Sequence, residues 1–238
     1  MRPCNLEKGV LYLCYRKGSL PFHFRLVKLC LHLKGARMKI YDISQEVFSC
    51  KVYPGDPSPK KETLSSLSSG AVCELSAFSM CAHNGTHVDA PLHFIAGGRT
   101  VDGLSLSSLI GLCFVAEGEG EIGREAAEKI LCRARQKGEE CARRILLKGP
   151  LFVSEEGARV FLEAGVLLLG NESQTVGPEN APMAVHLLLL GGEVVLLEGV
   201  RLASVPEGRY LLHAAPLCLG GAEGAPCRAT LLDPDEIN

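Results

Sequence analysis

"CAHNGTHVDAPLHF", residues 81–94, holds three of the seven histidines of a 238-residue chain, together with one aspartate. His83, His87, Asp89 and His93 all fall at odd positions. Side chains of an extended chain alternate between two sides, so wherever this stretch is extended these four share one side. Gly85 and Pro91 oppose a continuous helix, which leaves an extended or turning path. Imidazole and carboxylate are ligands that Zn²⁺ and Mn²⁺ accept, and the set is too poor in oxygen for Ca²⁺. The spacing HxxxHxD lets three ligands converge from one loop. It is not the HExxH of a helical zinc site, because Asn84 and not Glu follows His83. A single loop histidine is ordinarily a hydrogen-bonded structural residue. The shared parity of four such groups is what favours a metal.

Outward from this loop the chain alternates strand-like and helix-like segments. Lys39–Ile43 reads as a first strand, and "VYPGDPSP" (52–59) as an ordered turn with three prolines and a glycine. "AVCELSAFSMCAH" (71–83) reads as a strand, "SLSSLIG" (105–111) as a short helix and "LCFVAEG" (112–118) as a strand. "GREAAEKILCRARQKG" (123–138) is made of good helix formers and stops at Gly138. "RILLKG" (144–149) and "VLLLG" (166–170) read as buried strands. Between them "SEEGARVFLEAG" (154–165) is a helix, with Ser154 as N-cap and Gly165 past its end. "ENAPMAVHLLLLGG" (179–192) has Pro182 near a helix start and Gly191 at its stop, and "EVVLLEG" (193–199) then forms a strand. A hairpin turning at Gly191-Gly192 is the competing reading. "YLLHAAPLCLGGAEGAPCRATLLD" (210–233) supplies two further strands. The pattern is α/β within a single domain, with no internal repeat.

The chain is 47% hydrophobic, enough for a substantial core. Its net charge of −2 favours neither nucleic acid nor a membrane surface as partner. No apolar run reaches the roughly 18–20 residues that a membrane crossing needs. Charge is unevenly placed: residues 1–37 hold eight Lys/Arg and one acid, and the rest holds 17 basic and 26 acidic residues. A compositional break therefore falls near Met38. Residues 1–37 are expected to be a basic extension, poorly ordered or a start-site artefact; an amphipathic stretch or an organelle-type presequence are the other readings. They lack the apolar core and small-residue cleavage site of a secretory signal. The 11 cysteines form no CxxC pair, so reduced thiols in a cytoplasmic protein are expected rather than a disulfide framework.

His83, Gly85, Thr86, His87, Asp89, Pro91 and His93 match the pattern HxGTHxDxPxH. This resembles the signature of the cyclase family of metal-dependent hydrolases, of the bacterial kynurenine formamidase and isatin hydrolase type. "VYPGDPSP", "LLLGNESQTVGPE" (167–179) and "GAPCRATL" (224–231) are also similar to family segments, so the resemblance spans about residues 38 to 235. It implies a swivelling β/β/α domain over 38–238, with a mixed sheet core and flanking helices. It also implies a homodimer or homotetramer acting on a small molecule.

The resemblance implies that His83, His87 and Asp89, with His186 and, twelve residues on, Glu198, hold one or two divalent ions, Zn or Mn. His93 would serve catalysis, and Tyr53 and Phe94 would pack against an aromatic substrate. By themselves, His186 in an apolar run reads as a core histidine and Glu198 as a strand-end charge. A helix followed by a strand can bring both to one site. A tight hairpin would set His186 opposite Leu197, with Glu198 facing away. The implied reaction is hydrolysis of N-formylkynurenine to kynurenine and formate, with His93 carrying a proton to the leaving nitrogen. Hydrolysis of another cyclic amide, imide or lactone, or a non-catalytic metal-binding role, are the alternatives. No GxSxG nucleophile elbow is present. Three positions depart from the family and are expected on the substrate side. Tyr53 stands where tryptophan is frequent, Glu172 replaces a shorter acid, and an aspartate near Gly177 is missing.

Overall fold

A computed structural model describes residues 38–237. The expected N-terminal extension, residues 1–37, lies outside the described residues, as does Asn238. The strands are β1 (Met38–Asp42), β2 (Lys60–Ser65), β3 (Leu75–Ser79), β4 (His87–Asp89), β5 (Ile110–Glu117), β6 (Gly120–Ile122), β7 (Arg144–Lys148), β8 (Leu151–Val153), β9 (Leu168–Asn171), β10 (Val195–Glu198), β11 (Gly208–His213), β12 (Gly224–Pro226) and β13 (Thr230–Ile237). The α-helices are α1 (Leu106–Leu109), α2 (Arg124–Gln136), α3 (Glu155–Glu163) and α4 (Met183–Gly191).

Nine strands form one mixed sheet in the order β1-β13-β11-β5-β7-β9-β10-β4-β12. In its centre β5, β7, β9 and β10 run parallel. The outer strands pair antiparallel. Parallel neighbours need a crossover, and α2, α3 and α4 supply the three. This is why helical and buried-strand patterns interleave over residues 123–199. The central strands read as near-continuous apolar runs because both of their faces are covered. Phe114, Ala116, Ile145, Leu147, Leu169 and Leu196 enter a core shared with the helices. Their neighbours Cys113, Val115, Leu146, Leu168, Val195 and Leu197 enter a second core on the other face. Ser154 caps α3, its hydroxyl accepting from Gly157 N–H at 3.5 Å.

Two expectations need correction. The strand expected over 71–83 is only Leu75–Ser79, and it pairs with β2, which the sequence does not announce, in a separate two-stranded ribbon. "KKETLS" lacks an apolar alternation because the ribbon buries neither face: five of its six residues are exposed. The tail holds three strands, not two. "GAP" has no strand propensity of its own, and becomes β12 by pairing with β4.

Candidate metal centre

The helix-strand reading of residues 179–199 holds, and it decides the site. β10 pairs antiparallel with β4, setting Glu198 opposite His87 and Leu196 opposite Asp89. Directly paired residues share a face, as do residues two apart. His87, Asp89 and Glu198 therefore project to one side of the sheet, while Val88 enters the opposite core. That side is covered by α4, whose Val185, Leu189 and Leu190 pack into the helix-side core. His186 lies on the same buried face and reaches the C-terminal end of β10. Gly224 of β12 is opposite Asp89. A Cβ there would lie 2.6 Å from His83 Cε1, so only glycine lets that imidazole lie across the strand.

Asp89 is the hub. His83 Nδ1 is 2.8 Å and His87 Nε2 3.4 Å from its Oδ1, and His186 Nε2 is 3.9 Å from its Oδ2. Glu198 lies 3.6 Å from His87 Nε2 through Oε2 and 3.2 Å from His186 Nε2 through Oε1. Two ligand sets result, His83-His87-Asp89 and Asp89-His186-Glu198, each with its donor atoms within 4.8 Å of one another. Asp89 belongs to both.

Partners outside the sets fix the ring orientations. His87 Nδ1–H donates to Gly85 O at 3.0 Å and His186 Nδ1–H to Pro182 O at 2.9 Å. A carbonyl only accepts, so Nδ1 carries a proton, and Nε2 is turned towards the carboxylates, where it holds either a second proton or a lone pair for a cation. A lone pair against carboxylate oxygen is repulsive unless a cation or a proton lies between. Asp89 Oδ2 and His83 Nε2 are moreover buried without a hydrogen-bond partner. These groups fit a divalent ion.

Beneath the ligands, the Thr86 hydroxyl donates to Gly199 O at 2.8 Å and accepts from Gln45 N–H at 2.9 Å. The Gln45 amide donates to the same Gly199 carbonyl at 2.8 Å, and the Gln174 amide to Gly85 O at 3.2 Å. Gly199 has φ +69°, and a side chain on it would collide with Gln174, Gln45 and Gly85 O. The loop before β4 is thus tied to the turn after β10, which places Glu198. Glu198 is itself held by Val176 N–H donating to Oε1 at 2.7 Å. Gln45, Gln174 and Gly199 carry no spacing signal. Neither does Glu223, whose Oε1 lies 3.4 Å from His83 Nε2.

Burial opposes charge on His87 and His186. The hydrogen bonds and charges of Asp89 and Glu198 outweigh it and push both imidazoles up to about 9. Asp89 is driven the other way: burial would raise it, but contacts with His83 and His87 hold it well below the ordinary carboxylate range. At pH 7 the site therefore holds protons on imidazoles that must be neutral to bind a metal. Zn²⁺ binding at pH 7 is expected to release protons, and its apparent affinity to rise with pH and level off above about 9. Calorimetry in buffers of different ionisation enthalpy measures the release; zero release would contradict the charge balance.

His93 belongs to neither set. Its ring stacks on His83 with centroids 3.9 Å apart and meets Phe94 edge-on at 4.6 Å. Burial, joined by the neighbouring His83 and His186 charges and opposed by Asp89, lowers its pKa below the ordinary histidine value. It is neutral at pH 7 and able to accept a proton. A pocket of about 230 Å³ is lined by His93, Tyr53, Phe94, His186 and Glu198, among others. Seven of the eight residues marked out in the sequence line this pocket, and the eighth, Asp89, contacts His83, His87 and His186 behind it. Phe94 also packs on the His186 ring, centroids 4.8 Å apart. Glu172 is not on the substrate side as expected. Its carboxylate accepts from Gly149 N–H at 2.9 Å and Leu202 N–H at 2.8 Å, so it ties two loops together.

A divalent-metal enzyme built on a mixed α/β sheet is the class that this fold and centre define. The chain belongs to the putative cyclase family, whose sequence profile matches residues 40–178. Kynurenine formamidase of Salinibacter ruber is 33% identical over 221 residues, covering 83% of this chain and 100% of that one. Kynurenine formamidase of Erythrobacter litoralis is 31% identical over 212 residues, covering 84% and 97%. A solved potential metal-dependent hydrolase with cyclase activity superposes with TM-score 0.70 at 28% identity, covering 84% of this chain and all of that one. Isatin hydrolase A from Labrenzia aggregata shares the fold, with TM-score 0.71 at 20% identity over 87% of this chain and 98% of that one.

Proposed function

We propose that the protein is a metal-dependent amide hydrolase that converts N-formylkynurenine to kynurenine and formate. The observation that carries this reading is the placement of His93, neutral and stacked on His83 but outside both ligand sets. The similar kynurenine formamidases support the choice of substrate. His83, His87, Asp89, His186 and Glu198 would hold one or two ions, Zn²⁺ or Mn²⁺. A divalent ion bound there lowers the pKa of water to about 7 and polarises a carbonyl. His93 takes a proton as water adds to the formyl carbon. It returns that proton to the aryl nitrogen as the C–N bond breaks, leaving amine and formate. Tyr53 and Phe94 offer faces for the aryl ring.

Metal analysis combined with turnover of N-formylkynurenine by the Zn- or Mn-loaded protein tests the reading. Kynurenine formation at one or two ions per chain is expected. A loaded protein that spares this substrate but opens a cyclic amide, imide or lactone would overturn the substrate and keep the hydrolase. Inertness towards all of them would leave a metal-binding protein.

A homodimer or homotetramer in the cytoplasm is part of the same proposal. Among the described residues no helix is long and apolar enough to cross a membrane. The β2–β3 ribbon exposes Leu64, Leu75 and Phe78 beside a groove of about 700 Å³ lined by Phe48, Met80 and Leu217. A lone two-stranded ribbon is marginal in water, and clustered apolar exposure points to a protein contact. Light scattering is expected to give at least a dimer, and Phe78→Glu to shift it towards monomer. A monomeric wild type would refute the assembly.

A further inference from the structure

We propose, resting on the hydrolase reading above, that Asp56 is a specificity residue that selects amide substrates bearing a cationic amine. Asp56 closes the turn Tyr53-Pro54-Gly55-Asp56, its N–H donating to Tyr53 O at 3.1 Å. Proline followed by Gly55 at φ +100° is the pattern of a type II turn. The turn holds the Tyr53 ring and the Asp56 carboxylate at one wall of the pocket that contains His93 and the ligand set. Of the residues lining that pocket, Asp56 is the one acid outside the ligand set, and no lysine or arginine lines it. Among the described residues the hydrogen-bond partner of the Asp56 carboxylate is the Cys81 thiol, Sγ to Oδ2 at 3.7 Å. A thiol is a weak donor, so the half-buried carboxylate keeps capacity for a charged one.

The charge arrangement decides which donor. A single divalent ion would offset Asp89 and Glu198, and Asp56 then adds a carboxylate to a wall that no lysine or arginine lines. A ring packed on Tyr53 brings its substituents to the other end of the same turn. An ammonium group on a short side chain gains a charge-assisted hydrogen bond there. A carboxylate gains no partner from this wall.

Two substrates separate the roles: N-formylkynurenine, which carries an α-ammonium, and 2-formamidoacetophenone, which has the same aryl formamide and no amine. Asp56→Asn keeps the shape and removes the charge. It is expected to raise KM for N-formylkynurenine by about ten- to a hundredfold, the range for a hydrogen bond to a charged group. KM for the amine-free compound should stay within about twofold, with kcat and metal content unchanged. Cys81→Ala, which removes the thiol and leaves the carboxylate, should preserve the wild-type preference. Equal changes on both substrates, or none on either, would overturn the role of Asp56 while leaving the hydrolase standing. Failure of the wild type on both compounds would instead refute the formamide substrate, and this inference with it.

Discussion

His87→Ala is expected to lose the bound divalent ion and turnover together. His87 Nε2 lies 3.4 Å from Asp89 and 3.6 Å from Glu198, so it sits where the two ligand sets adjoin. Its proton is fixed on Nδ1 by Gly85 O, which leaves Nε2 free to ligate. Removing an outer partner of a ligand typically costs about 10- to 100-fold in affinity, and removing the ligand itself should exceed that. The variant also leaves the buried Asp89 and Glu198 facing each other with one cationic group fewer, which costs stability. Metal analysis after dialysis, beside a melting curve, is the measurement. A folded variant that retains a full complement of metal would mean that His87 is a structural histidine.

His93→Ala is expected to separate what His87→Ala joins. The variant should keep its metal, because His93 belongs to neither ligand set. It should lose about 10²- to 10⁴-fold in kcat, the usual worth of a positioned general acid–base. The pH profile supplies a second readout. The lowered pKa of His93 keeps it neutral down to a pH below the ordinary histidine value. Wild-type kcat/KM should therefore fall only as pH drops through that lowered pKa, and the variant should lose this limb of the profile. An unchanged kcat would move the proton transfer to another group. Metal loss would make His93 a ligand.

The contrast between the two variants turns on ring placement that parity cannot supply. His83, His87, Asp89 and His93 are alike in parity, yet β4 contains only His87 and Asp89. His83 lies in the preceding turn, and His93 ends the 3-10 turn that begins at Pro91. Alternation correctly put His87 and Asp89 on one face and had nothing to say about the turns on either side. His186 and Glu198 were legible as a pair through the family resemblance. The residues themselves left a helix and a hairpin both open across Gly191-Gly192. The apolar α4 face and the parallel pairing of β9 with β10 decide for the helix.

By itself the sequence determined the alternation of helices and buried strands, and a histidine-rich loop whose donor types suit a divalent ion. These are local properties: periodicity, capping and ligand chemistry are complete within a dozen or so residues. Only the tertiary structure decided that β10 lies between β9 and β4, which sets Glu198 opposite His87 from about a hundred residues away. It alone showed why Gly224 and Gly199 carry no side chain, why Gln45 and Gln174 belong to the site, and that Glu172 does not. It alone put Asp56 on the pocket wall. Strand order is chosen by burying both faces of the central strands at once. That requirement belongs to the whole sheet, and no short stretch of sequence contains it.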